Sequence, residues 1–119
     1  MRFKGLKGSK EQSDVLKADY DSAVKEGIIA LGNSHLFFRK FFKTYYVSYS
    51  DLSAAYRRVY MMSGKSGMTA EFLVLVSGDT EIANIGVPGT KKAKEILEII
   101  KEIAPHIETS YKGEKENND

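Results

Sequence analysis

Along residues 90–104 the apolar residues Ala93, Ile96, Leu97, Ile100, Ile103 and Ala104 recur at steps of three and one. Ile99 widens the stripe. Lys94, Glu95, Glu98, Lys101 and Glu102 fill the opposite side. This spacing predicts an amphipathic helix that lays one broad face on a sheet. Thr90 is the expected N-cap, and Pro105 stops the helix. Burying three or four of its Ile and Leu side chains is worth roughly 5–10 kcal/mol before entropy is counted.

Upstream the period is two. Residues 28–31 are short, apolar and β-rich, and Gly32-Asn33-Ser34 is a turn cluster. Residues 35–39 read as the next strand, and a reversal is expected between Lys40 and Lys43. Thr44-Tyr45-Tyr46-Val47-Ser48-Tyr49 is a third strand, rich in aromatic and β-branched residues. Residues 50–53 form a turn or a single helical turn. Residues 54–62 alternate as a strand, and residues 63–67 connect it to the next. Phe72-Leu73-Val74-Leu75-Val76 is apolar at every position, which predicts a strand covered on both faces. Residues 77–80 make a tight hairpin, and residues 81–87 return with Ala83, Ile85 and Val87 inward. Six strands are visible in this way.

Ahead of them, residues 11–26 hold good helix formers. Val15, Ala18 or Asp19, and Ala23 form a thin stripe, Ser13 and Asp14 can cap the start, and Gly27 ends it. Residues 1–10 mix Lys with Gly and are expected to be a flexible basic arm, residues 11–111 a single domain, and residues 112–119 a disordered polar tail. The fold class expected is therefore α+β: an antiparallel β-meander, or partly open barrel, closed by one C-terminal amphipathic helix, with an additional N-terminal helix.

Composition changes this picture in two places. The chain has no cysteine, so disulfides, thiolate nucleophiles and Cys-type zinc sites do not arise, and a cytoplasmic setting is expected. The net charge is only +2, yet residues 33–70 carry Arg39, Lys40, Lys43, Arg57, Arg58 and Lys65 against one acid, Asp51. An anionic partner meets that block first.

The candidate chemistry is sparse. Gly64-Lys65-Ser66 has the ending of a phosphate-binding loop, but the glycine needed five residues earlier is Val59, inside a strand. His35 and His106 have no second imidazole or thiol near them, so no metal or other cofactor is expected. Ser34 and His35 form a triad only with a distant Asp that spacing does not identify. Glu95, Glu98 and Glu102 lie on the solvent side of a helix. Lys91 and Lys92 open that helix and oppose its dipole, a place for an anion or for water. No catalytic constellation emerges, and an enzyme is not expected.

The most unusual stretch is Phe37-Phe38-Arg39-Lys40-Phe41-Phe42-Lys43-Thr44-Tyr45-Tyr46. Alternation sends one set of rings into the core. Phe41 and Phe42 are expected exposed at a hairpin tip, an interaction surface. Arg39, Lys40 and Lys43, joined by Arg58 from a later strand, are the candidate ligand-binding cations. The bland alternative is an aromatic core with charged edges.

The strand-turn Tyr45-Tyr46-Val47-Ser48-Tyr49-Ser50-Asp51-Leu52, the strand Tyr56-Arg57-Arg58-Val59, the hairpin 72–87 and the helix 90–104 together resemble the pleckstrin-homology-like (PH-like) domains, in particular small bacterial ones, over about residues 28–104. That resemblance implies a seven-stranded, non-enzymatic scaffold that binds a lipid or peptide or associates with itself. Lipid-binding relatives carry a basic cluster in the first strand–loop–strand. Here that loop, Gly32-Asn33-Ser34, has no basic residue, so their ligand residues do not carry over. The expected function is a binding module whose partner is a protein or a second copy. The alternative is an anionic ligand, a nucleic acid, phosphate-bearing small molecule or membrane surface, held on the basic–aromatic strand face.

Overall fold

The computed structural model describes residues 2–6, 11–61 and 69–109. It contains two compact units, Met1–Leu52 and Ser53–Asp119. The fold is α+β, with two helices, and its strands form a five-stranded and a three-stranded sheet rather than one closed barrel.

In the first unit the sheet order is β1-β5-β4-β3-β2. The strands are β1 (Phe3–Gly5), β2 (Val24–Glu26), β3 (Ile29–Leu31), β4 (His35–Lys40) and β5 (Lys43–Ser48). The last four form an antiparallel meander. β1 joins the other edge in parallel, pairing Phe3 with Thr44 and Gly5 with Tyr46. Residues 3–5, expected within a basic arm, are thus a strand of the sheet.

The helix expected over residues 11–26 is shorter: α1 is Ser13–Asp21. The Ser22 amide turns back to the Ala18 carbonyl at 3.3 Å, and the chain leaves the helix there. β-branched Val24 opens β2 instead, and Gly27, at φ 67°, supplies the reversal into β3. The packed stripe also differs. Leu16 is buried, whereas Val15 is exposed. Leu16 joins Ala30, Phe37 and Tyr46 in a cluster that Phe3, Tyr20 and Ala23 flank. Leu16 and Tyr20, four apart, share one face of α1. The other face of the sheet carries Ile29, Leu31, Leu36, Phe38 and Val47, all buried.

After β5, Tyr49–Asp51 forms a single 3-10 turn. The second unit is an antiparallel meander of β6 (Ala54–Met61), β7 (Thr69–Ser77) and β8 (Thr80–Val87), followed by α2 (Thr90–Ile103). β7 is central, and Leu73, Val74 and Leu75 are each fully buried, as the unbroken apolar run requires. Ala93, Ile96 and Ile100 are the buried face of α2. Thr90 is its first residue and Gly89 its N-cap, because the Thr90 hydroxyl bonds the Glu71 carboxylate. Past Pro105 the chain returns to the sheet: the Ala55 amide donates to the Glu108 carbonyl at 2.9 Å, and the Glu108 amide to that of Ser53 at 2.9 Å. The polar tail expected over residues 112–119 and the 64–66 motif lie outside the described residues.

Candidate functional site

β4 and β5 are joined by a turn of two residues, Phe41 and Phe42, with Lys40 paired opposite Lys43. Two-residue hairpins match strand twist when both central residues take positive φ, which is why Asn-Gly is favoured there. Phe41 has φ 52° and Phe42 φ 70°. A side chain in that region costs roughly 1–2 kcal/mol per residue. The like charges of Lys40 and Lys43, directly opposed, add a second unfavourable contact. Neither ring recovers this by packing: Phe41 is 79% and Phe42 103% exposed. The Lys40 ammonium sits 5.8 Å from the Phe41 ring centre.

The neighbouring strands enlarge this end of the sheet. β1 brings Arg2 and Lys4 alongside β5, and a hollow of about 770 Å³ lies among Arg2, Lys4, Arg39, Lys43, Phe3, Thr44 and the two tip rings. The lining holds four cations and no acid. On the other side, the Arg39 amide donates to the Ile28 carbonyl at 3.0 Å, which sets the Gly27-Ile28 turn beside the tip, and Ile28 is exposed. Arg39, Lys40, Lys43, Phe41 and Phe42 all lie at this end of the sheet, with Lys40 and Lys43 on one face of the hairpin and Arg39 on the other. Arg2, Lys4 and Ile28 were missed, since they arrive through strand pairing that no local pattern announces.

Arg58 belongs to the second unit. Its guanidinium bonds both Glu81 carboxylate oxygens and the Tyr56 hydroxyl, the latter at 3.0 Å. Glu81 holds the Arg58 pKa above its ordinary value, and Arg58 in turn lowers that of Glu81. Arg58 is therefore satisfied within its own sheet. Arg57, on the other face of β6, pairs with Glu71 at 3.5 Å; the two side chains are nearly buried.

At the opposite end of the first sheet, α1 grips the β3–β4 turn. Asp19 accepts the backbone amides of Asn33 at 2.6 Å, Ser34 at 3.1 Å and His35 at 3.0 Å. It also meets His35 Nδ1 at 2.9 Å. An ionised carboxylate only accepts, so Nδ1 carries the proton. Burial raises the Asp19 pKa, but the His35 ring and the Asn33 and Ser34 amides outweigh it, and the net direction is downward. Gly32 lies so close that a Cβ there would sit 2.5 Å from Asp19 Oδ1. Tyr49 closes the group by donating its hydroxyl to the Gly32 carbonyl at 2.9 Å; burial pushes its phenol pKa up. The Asp–His pair has the geometry of a catalytic dyad, but His35 is 3% exposed, wedged between the Phe37 and Tyr46 rings, and its Nε2 faces Glu11 at 3.7 Å rather than a nucleophile. Its work is to hold the turn. The aspartate partner was missed because the stripe read from the sequence treated position 19 as interchangeable with Ala18.

Among the described residues, no group of three His, Cys, Asp or Glu side chains is arranged to hold a metal ion. Lys92 at the start of α2 pairs with Glu95 at 3.5 Å, and His106 is exposed. Among the described residues, no helix is long and apolar enough to cross a membrane.

No curated protein and no solved structure matches the chain. The sequence model of one family, described as Domain of unknown function (DUF6709), matches residues 6–118, and the chain belongs to that family.

Proposed function

We propose that this member of the DUF6709 family is a non-catalytic, PH-like binding module that engages its partner through the β4–β5 end of the first sheet. Two things support the PH-like reading. β2 to β5 and β6 to β8 are successive antiparallel meanders, which together supply seven strands, and α2 follows them. The strands that sequence did not reveal are β1, within the expected basic arm, and β2, adjacent to Ile28.

The observation that carries the binding site is the exposure of Phe41 and Phe42 at positive φ. Strained backbone persists where something other than stability retains it. Here a turn that Asn-Gly would satisfy holds the two bulkiest apolar residues available short of tryptophan, beside opposed lysines.

The test is the double variant F41N/F42G. Relief of two strained residues is expected to stabilise the fold by about 1–3 kcal/mol, raising Tm by several degrees, in thermal unfolding followed by circular dichroism. A fall in Tm would mean that the rings serve folding, and the binding reading would be lost.

A further inference from the structure

We infer that the partner of this surface is an anionic lipid bilayer, with Phe41, Phe42 and Ile28 entering the interface and the surrounding cations resting on lipid headgroups. This rests on the reading of the β4–β5 end as the binding surface.

The geometry is that of a wedge with a charged collar. The rings project furthest, at the turn itself, and are almost wholly exposed. Behind them stand Lys40 and Lys43 on one face of the hairpin, Arg39 on the other, Lys4 on β1 and Arg2 just ahead of it. Phenylalanine is at home in the boundary between headgroups and acyl chains, where an apolar tip enters about 5–10 Å. Each Lys or Arg near an anionic leaflet adds roughly fivefold in affinity. An anionic surface would also neutralise the Lys40–Lys43 repulsion, which water and salt only reduce. An acidic residue, Glu26, lies at the start of the adjacent turn and opposes this field.

Other partners fit less well. Two copies meeting tip to tip would press two cationic collars together. A folded protein partner needs about 1,000 Å² of buried surface, which two rings and an isoleucine do not offer. Single-stranded nucleic acid asks for rings lying as platforms along a basic groove. Here the rings lead and the cations follow, and Ile28 has no π-face to stack.

The chain contains no tryptophan, so F42W carries a single indole at the tip. Phosphatidylcholine vesicles with and without phosphatidylserine are the probes, with co-sedimentation and indole emission as readouts. The expected result is binding to serine-lipid vesicles, weaker by tenfold or more on phosphatidylcholine alone and at high salt, with a blue shift of the F42W indole. F41N/F42G is expected to lose on the order of a hundredfold, and K40A/K43A at least tenfold, while both keep native circular dichroism. Absence of vesicle binding overturns the proposal. So does binding without a blue shift, or undiminished binding by F41N/F42G. An indole that responds to oligothymidylate, or to protein concentration, and not to vesicles would assign the surface to nucleic acid or to a second copy. Failure here with F41N/F42G still stabilised removes the bilayer alone; destabilisation of F41N/F42G removes the binding surface itself.

Discussion

Asp19→Ala is expected to destabilise the protein by about 2–4 kcal/mol, read as a shift in the urea midpoint at neutral pH. The carboxylate satisfies three consecutive backbone amides and one imidazole N–H, and its side chain is only 10% exposed. Each of these bonds is worth more than an ordinary hydrogen bond because the acceptor is charged; without it the exposed Asn33 and Ser34 amides turn to water, whereas the amide and ring of buried His35 are left short of an acceptor. Asp19→Asn keeps the shape and loses the charge. Because the folded pKa of Asp19 lies below the ordinary 3.8, its contribution is fully present above that value and is lost as the pH falls through the folded pKa. The stability gap between the parent and Asp19→Asn is therefore expected to shrink as the pH falls below about 4. A gap that does not depend on pH would refute the charged clamp.

Gly32 supplies an independent check. Gly32→Ala drives a Cβ into Asp19 Oδ1 and is expected to cost about 1–3 kcal/mol in the parent. In an Asp19→Ala background the obstacle is gone, and the same change is expected to be nearly neutral. Additivity of the two substitutions would mean that the close approach is not what constrains position 32.

The second large effect lies in the other unit. Ile96→Ala is expected to cost about 2–5 kcal/mol. Ile96 is fully buried on the face of α2 that also carries Ala93 and Ile100. The same helix bonds the Glu71 carboxylate through Thr90, which fixes its start on the sheet and leaves little room to collapse into the void. Glu98→Ala, on the exposed side, is expected to change stability by less than about 0.5 kcal/mol. Equal effects at the two positions in chemical unfolding would contradict the packing of α2 on its sheet.

Local periodicity identified α2, the central strand β7, the β7–β8 hairpin and the exposed position of Phe41 and Phe42. In each case the pattern repeats over enough residues, or is abrupt enough, to have one physical solution. An apolar stripe at helical spacing must be buried, and a two-residue reversal between strands leaves its side chains outside. Short elements were less legible. β1 and β2 have three residues each, too few for a period to show, and β2 was absorbed into the end of α1.

Spacing along the chain was enough to determine the number of apolar faces and where the chain reverses, because those depend on neighbours within one or two turns of the backbone. Tertiary pairing alone decided that Arg2 and Lys4 join the tip, that Asp19 seizes the Gly32 turn, and that Arg58 pairs with Glu81. Each of these joins residues far apart in sequence, and a single hydrogen bond or strand register, set only once the sheets assemble, brings them within reach.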